Sequence, residues 1–158
     1  MGLIGIPPII SPDLLVALAR MGHGDTICFA DANFPAENLG RPVIRADGHK
    51  VAPLLRAVAQ LFPLDSYTEF PVQMMAAVPG DELDHRIETR FEDAVEAVQP
   101  GMFKVERVER FEFYERAKKC FVVVATGETA KYGNIIIVKG VLGTGEGLAG
   151  DAVFQRCS

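Results

Sequence analysis

Two short apolar runs near the carboxyl end of the chain restrict its fold more than any other feature. Residues 120–125 are CFVVVA and residues 135–138 are IIIV. Both runs are too short for an ordinary helix and are rich in β-branched side chains, which favours strands. Continuous apolar runs of this length indicate strands buried on both faces, and such strands occur mainly where helices cover a parallel sheet.

Helical and strand patterns alternate along the rest of the chain. The first helix begins at Ser11-Pro12-Asp13, which combines a capping residue, a proline suited to the first turn and an acid. This alternation predicts an α/β fold, a three-layer domain in which helices pack on a mostly parallel sheet. The predicted helices cover residues 12–21, 51–62, 83–98 and 110–119, and the further strands cover residues 26–30, 43–44, 72–78 and 103–108.

The length and the Gly-rich end of the chain predict one domain followed by a tail. A chain of 158 residues is long enough for one full core and short for two. After residue 142 the sequence becomes GTGEGLAG, a composition typical of flexible segments. We therefore expect a domain at residues 1–142 and a disordered tail at residues 143–158.

Charge and cysteine content exclude several classes of protein. The net charge is −5, which argues against nucleic-acid binding because phosphates require clustered Lys and Arg. No apolar run has the length that spans a bilayer. Cys28, Cys120 and Cys157 are odd in number and lack metal-ligand spacing, so a disulfide framework is not expected. These features predict a cytoplasmic protein that binds neither nucleic acid nor membrane.

The connection between the two apolar runs carries more polar groups than a turn requires. Residues 126–134 are TGETAKYGN, with two threonines, a glutamate, a lysine and a tyrosine besides the turn residues. In an open α/β sheet, ligands bind beside the ends of strands. Tyr132 and Asn134 therefore become candidates for binding a polyhydroxy ligand such as a sugar.

His23 is the first candidate for proton transfer. It lies between Gly22 and Gly24, just after the first helix and just before a buried strand. Histidine is the side chain whose charge changes closest to neutral pH, which suits it to acid and base catalysis. The alternative is that His23 only caps the preceding helix or bonds a local carbonyl group, and spacing alone leaves both open.

Two carboxylates and one Arg–Tyr pair are further candidates. Asp31 follows a buried strand and Asp65 follows a proline-ended helix, so each is either a turn residue or a ligand contact. Arg110 and Tyr114 are four residues apart, which places them on one face of a helix. The simpler interpretation of that pair is an exposed Arg stacked on Tyr. Met74 and Met75 are either core residues or, since alternation along a strand can send one of them into a pocket, part of a substrate wall, for which Met75 is the candidate.

Several motifs of cofactor and metal chemistry are missing. The sequence contains no phosphate-binding loop of the G-x-x-x-x-G-K type, no dinucleotide fingerprint after a strand and no G-x-S-x-G nucleophile motif. The three histidines lack the paired spacing of zinc ligands. We therefore expect an acid/base site for a small polar ligand, with no cofactor and no metal.

Six ordered blocks of sequence resemble the RbsD/FucU family. The G-H-x-D and Y-x-N elements resemble both branches of the family, whereas R-F-x-F-Y-E-R and the loop before Pro35 resemble the fucose branch. The similar blocks are residues 14–25, 30–35, 44–48, 63–67, 110–117 and 126–134. Together they extend from the first helix to the last strand, and only the tail lies outside them.

The resemblance implies interconversion of the α and β anomers of L-fucose by opening and reclosing the pyranose ring. It implies that His23 is the proton donor, with Asp65 and Tyr114 contributing to the site. The implied sugar-binding residues are Asp31, Arg110, Tyr132, Gly133 and Asn134. It also implies self-association into a ring, commonly a decamer, with pockets near subunit interfaces.

Two rival functions remain open on the sequence. One is the D-ribose pyranase chemistry of the same family, which converts pyranose to furanose. The other is a non-catalytic sugar-binding accessory protein, which would need Asp31, Arg110, Tyr132 and Asn134 but not His23. An oligomeric structural protein would leave the polar groups at the strand ends unexplained.

Overall fold

The computed structural model describes residues 1–39 and 42–143, and these form six strands and four α-helices. The predicted tail lies outside the described residues apart from Gly143, so the domain boundary at residue 142 stays a prediction. The elements in chain order are α1 (Pro12–Arg20), β1 (Thr26–Ala30), β2 (Val43–Ala46), α2 (Val51–Ala59), β3 (Val72–Met75), α3 (His85–Glu96), β4 (Val105–Val108), α4 (Arg110–Lys119), β5 (Val122–Thr126) and β6 (Ile135–Val138).

The strands form one sheet in the order β2-β5-β1-β6-β3-β4. β6 runs antiparallel to its neighbours β1 and β3, and the pairs β2–β5, β5–β1 and β3–β4 are parallel. The expectation of a mostly parallel sheet is therefore confirmed. Predicted element ends differ by a few residues: β3 ends at Met75 rather than at residue 78, and β4 begins at Val105 rather than at residue 103.

Alternate residues of the central strands pack on opposite faces of the sheet, which confirms the three layers. Ile27 and Phe29 pack with α1, α2 and α3 on one face, whereas Cys28 and Ala30 pack with α4 on the other. Full burial of an aliphatic or aromatic side chain stabilises the fold by about 1.5–3 kcal/mol relative to exposure. Within the described residues, no helix is long and apolar enough to cross a membrane.

Side-chain caps help to determine where α1 and α4 begin. The hydroxyl of Ser11 accepts a hydrogen bond from the N–H of Leu14, which confirms the predicted cap of α1. The carboxylate of Glu109 accepts from the N–H groups of Phe111 and Glu112 at the start of α4. Because Glu109 alone separates β4 from α4, the first residue of α4 lies at the carboxyl end of β4.

The sheet directions determine which loops meet. The carboxyl ends of β1, β3, β4 and β5 lie at one edge of the sheet, and the antiparallel β6 begins at that same edge. The amino end of β1 and the carboxyl end of β6 lie at the opposite edge, where Thr26 pairs with Val138. The five residues of β1 separate the two edges by about 16 Å, at about 3.3 Å per residue.

A close approach of two loops requires a glycine at position 127. The N–H of Gly127 donates to the carbonyl of His49 at 2.9 Å, and a Cβ on Gly127 would overlap the carbonyl oxygen of Asp47. We expect Gly127→Ala to lower the free energy of unfolding by about 2–3 kcal/mol, because the backbone must move apart. Chemical denaturation measures this loss.

The matched control for this prediction is Gly48→Ala, in the β2–α2 turn that contains Asp47 and His49. A Cβ at Gly48 would meet no heavy atom within 4 Å, so we expect a change below about 1 kcal/mol. Equal losses for the two variants would contradict the packing argument.

Candidate active site

Polar side chains surround a cavity of about 330 Å³ at the edge where β1, β3 and β4 end and β6 begins. Six of the residues predicted from sequence line it, namely Asp31, Met75, Arg110, Tyr114, Tyr132 and Asn134. Asn33, Phe34 and Lys131 line it as well. We call this set the cavity group. Loops that are far apart in sequence therefore build one concave site.

Asp31 is the buried carboxylate of the cavity group. Its N–H donates to the amide oxygen of Asn134 at 2.7 Å, and its Oδ1 accepts from the N–H of Asn33 at 2.9 Å. Burial raises the pKa of Asp31 above its ordinary value, and hydrogen bonds from Asn33, Phe34, Asn134 and Gly133 oppose that shift. A desolvated carboxylate of this kind is a strong acceptor for ligand hydroxyl groups.

Arg110 supplies a buried donor to the same cavity. Among the residues that the structure describes, no group accepts a hydrogen bond from its buried Nε. A buried N–H without an acceptor costs about 1–3 kcal/mol, which a ligand oxygen would recover. The guanidinium lies 4.7 Å from the ring centroid of Phe111. The stacking of Arg110 on Tyr114, considered as the simpler interpretation, is therefore replaced by stacking on Phe111.

The turn before β6 presents Tyr132 and Asn134. Tyr132 has a φ of 59°, a left-handed conformation that is uncommon for a residue other than glycine. Its ring lines the cavity, while its hydroxyl accepts from the N–H of Val78 at 3.2 Å and donates to Asp81 at 2.8 Å. A Cβ on Gly133 would lie 2.8 Å from the carbonyl oxygen of Ala130, so glycine is required there by packing.

One wall of the cavity is apolar. The ring centroids of Phe34 and Tyr114 lie 5.5 Å apart, and Met75 completes this wall. Met74, its neighbour in β3, packs into the core on the other face of the sheet. Strand alternation thus explains why one methionine is in the core and the other faces the cavity.

His23 and Asp65 form a second group at the opposite edge of the sheet. The Nε2 of His23 lies 3.2 Å from the Oδ1 of Asp65, which also accepts from the N–H of Tyr67. Asp65 is buried, whereas the His23 side chain is 47% exposed. The end of α1 is closed by a bond from the N–H of Met21 to the carbonyl of Ala17, so His23 is not its cap.

The structure does not bring the two groups together within one chain. His23 precedes β1 and Asp31 follows it, so the strand itself separates them. The carboxylate that contacts His23 is Asp65 and not Asp31. A monosaccharide bound by Asp31 and Arg110 is therefore out of reach of the same chain's imidazole.

Sequence reasoning did not single out four residues at the cavity. Asn33 and Phe34 lie in the loop after Asp31, and Lys131 lies in the polar stretch before β6, so each adjoins a predicted residue. Asp81 had no local signal, because its contact with Tyr132 joins positions 51 residues apart. Within residues 1–39 and 42–143, no group of three or more His, Cys, Asp or Glu side chains is arranged to hold a metal ion.

Comparison with known proteins identifies similar chains of known name. A sequence model described as the RbsD / FucU transport protein family matches residues 4–142. The chain is 57% identical over 137 residues to an L-fucose mutarotase of Actinobacillus pleuropneumoniae serotype 5b (strain L20). That alignment covers 87% of this chain and 95% of the relative.

Solved structures of similar fold include members of both branches. The fucose mutarotase of Streptococcus pneumoniae in complex with L-fucose is similar with a TM-score of 0.84 and 42% identity, over 89% of this chain and 100% of that chain. Bacillus subtilis RbsD complexed with D-ribose has a TM-score of 0.70 and 24% identity, over 90% of this chain and 100% of that chain, which shows the fold alone. With the family match over nearly its whole length, the chain belongs to the RbsD/FucU family.

Proposed function

We propose that this protein is an L-fucose mutarotase, an isomerase that interconverts the α and β anomers of L-fucose. The observation that carries the proposal is the buried Nε of Arg110 without an acceptor among the described residues, in one cavity with the buried carboxylate of Asp31. A sugar hydroxyl can accept from one of these groups and donate to the other. The 57% identity to a named L-fucose mutarotase supports the choice of sugar.

The reaction requires two proton transfers and no change of oxidation state. The anomeric hydroxyl loses a proton while the ring oxygen gains one, and the C1–O5 bond of the pyranose breaks. The open aldehyde rotates about C1–C2 and closes on its other face, which reverses both transfers. Positioned acid and base groups contribute about 10²–10⁴-fold each to such steps.

His23 is assigned the protonation of the ring oxygen. We assign the Nε2–H of His23 as the donor to the Asp65 carboxylate, which leaves Nδ1 of the imidazole to exchange the catalytic proton. Asp65 therefore orients the imidazole. Tyr114 lies in the cavity itself and is the candidate for the anomeric hydroxyl. This division of roles extends the expectation from the family resemblance that Asp65 and Tyr114 both contribute to the site.

The cavity group is assigned to sugar binding. Asp31 accepts from hydroxyl groups, and Arg110 and the amide nitrogen of Asn134 donate to sugar oxygens. Met75 and the ring of Tyr132 contact the apolar face of the sugar, and Gly133 gives the turn its shape. A site built to hydrogen-bond particular hydroxyls rejects sugars that lack them, because its buried groups then stay unpaired.

A neighbouring copy of the chain supplies His23 in this proposal. The cavity group and the His23–Asp65 pair lie at opposite edges of the sheet, about 16 Å apart along β1. A groove beside His23, lined by Leu15, Leu61 and Leu142, offers an apolar surface for that neighbour. A head-to-tail contact of this kind generates a ring when the rotation between copies closes, and a ring, commonly a decamer, is the assembly that the family resemblance implies. We assign the assembly to the cytoplasm.

The function is tested by exchange NMR on the anomeric protons of L-fucose, with D-ribose in parallel. We expect the protein to accelerate exchange on L-fucose, and we expect His23→Ala to lower that rate by about 10²–10⁴-fold while sugar binding is largely kept. Titration of the sugar resonances measures binding in the same samples. Equal loss of turnover and binding would contradict the assignment of His23 as acid.

Two other outcomes identify the rival functions. Acceleration on D-ribose alone would assign the protein to pyranase chemistry. Binding of L-fucose without acceleration by the wild type would indicate a non-catalytic sugar-binding protein.

A second prediction follows from the burial of Asp31. Its folded-state pKa is raised, so the folded state binds this proton more tightly than the unfolded chain does. The contribution of Asp31 to stability is therefore fully present below its unfolded pKa and is lost as pH rises through the folded pKa. We expect Asp31→Asn to be more stable than the wild type at pH 7, with the gap closing below about pH 4.

Denaturation at several pH values measures this gap, and Asp47→Asn is the matched control. The pKa of the exposed Asp47 is lowered by its hydrogen bonds from Arg45. Its replacement should therefore change stability at pH 7 in the opposite direction. A loss of stability in Asp31→Asn at pH 7 would contradict the account of the buried carboxylate.

A further inference from the structure

The loop between β3 and α3 contributes a carboxylate that the proposed reaction does not use. Asp81 lies on this loop, and its side chain is 25% exposed. Its Oδ2 lies 2.6 Å from the Nζ of Lys131 and accepts from the Tyr132 hydroxyl at 2.8 Å. Both partners line the cavity, so one carboxylate holds two neighbouring residues of the site.

The charges at the cavity are balanced only when Asp81 is included. Among the described residues, two cations line the cavity, Arg110 and Lys131, against one lining carboxylate, Asp31. Hydrogen bonds from Lys131 and Tyr132 lower the pKa of Asp81, so this group is ionised at neutral pH. Without Asp81, the cavity would carry an excess positive charge beside a donor-rich pocket, which favours phosphates and carboxylates.

The same arrangement also occupies the hydrogen-bonding capacity of the Tyr132 hydroxyl. It donates to Asp81 and accepts from the N–H of Val78, so its bonds point to the β3–α3 loop rather than to a ligand. This leaves the ring and the backbone of Tyr132 to contact the sugar. Asp81 thereby limits both the charge and the hydrogen-bonding groups that the cavity offers.

We propose that Asp81 is a specificity-determining residue that keeps the cavity selective for uncharged sugars, by pairing with Lys131 and holding the Tyr132 hydroxyl. The inference rests on the proposed function, since it takes the cavity as the sugar site. It assigns the substrate class as neutral monosaccharides and excludes sugar phosphates and uronates. Without Asp81, Lys131 would be available to pair with an anionic ligand, and its ion pair with Asp81 prevents this.

The test compares the binding of L-fucose and of L-fucose 1-phosphate by calorimetry, which requires no turnover. Asp81→Asn removes the charge but keeps an acceptor for Tyr132. We expect the ratio of the Kd for the phosphate to the Kd for L-fucose to fall about tenfold, the effect of one added charge-assisted hydrogen bond. Asp81→Ser provides a second neutral variant, and Asp81→Glu should return the ratio towards the wild-type value.

Two controls separate charge from structure. Asp84 lies on the same loop and pairs with Arg86 outside the cavity, so Asp84→Asn should leave the ratio of the two Kd values unchanged. Adding Lys131→Met to Asp81→Asn should abolish the gain, because the released cation is then absent. An unchanged ratio in both neutral variants, or a gain that survives without Lys131, would overturn the inference.

The inference and the proposed function fail separately. Absence of anomeric exchange by the wild type, with selective binding of neutral sugar that Asp81→Asn relaxes, would overturn the mutarotase and support the role of Asp81. Normal exchange with an unchanged binding ratio in the neutral variants would overturn the role of Asp81 alone.

Discussion

The pairing of β6 between β1 and β3 is the interaction on which the rest of the structure depends. β6 joins the parallel group β2-β5-β1 to the parallel pair β3-β4 by antiparallel hydrogen bonds on both of its sides. Its first residue follows Asn134, whose amide oxygen accepts from the N–H of Asp31 at 2.7 Å. The entry of β6 into the sheet thus places the polar turn before it against the end of β1. Loss of this pairing would separate the two halves of the sheet and open the cavity.

The same sheet geometry explains why the proposed site is divided into two half-sites in each chain, the cavity group and the His23–Asp65 pair. The cavity group, to which we assign sugar binding, lies at one edge of the sheet, and the His23–Asp65 pair lies at the other. Each half-site is incomplete within a single chain. The cavity contains an unsatisfied Arg110 Nε among the described residues, and His23 is half exposed beside an apolar groove. Assembly of copies is therefore part of the proposed catalytic mechanism and not only a source of stability.

Features carried by neighbouring residues could be predicted from the sequence, whereas features that join distant loops could not. The strands observed at 122–126 and 135–138, the Ser11 cap and the candidates just after β1 and β4 follow from local patterns. The contacts of His23 with Asp65 and of Asp81 with Tyr132 join positions 42 and 51 residues apart, and no local pattern specifies them. One further conclusion follows from the sequence pattern. Residues that flank a five-residue strand must lie at opposite edges of its sheet, so His23 and Asp31 could not share a site within one chain.

Complementation between two inactive variants tests the shared site most directly. His23→Ala removes the His23–Asp65 half of the site, and Arg110→Ala removes the cavity half. When the two variants mix at random in a closed ring, about a quarter of the sites should keep both halves intact. We expect the mixed assembly to recover about that fraction of the wild-type exchange rate on L-fucose. A mixture of His23→Ala with Asp65→Ala, which damages the same half-site twice, should recover nothing. If the first mixture also stays inactive after the subunits have mixed, each site lies within one chain and the account is contradicted.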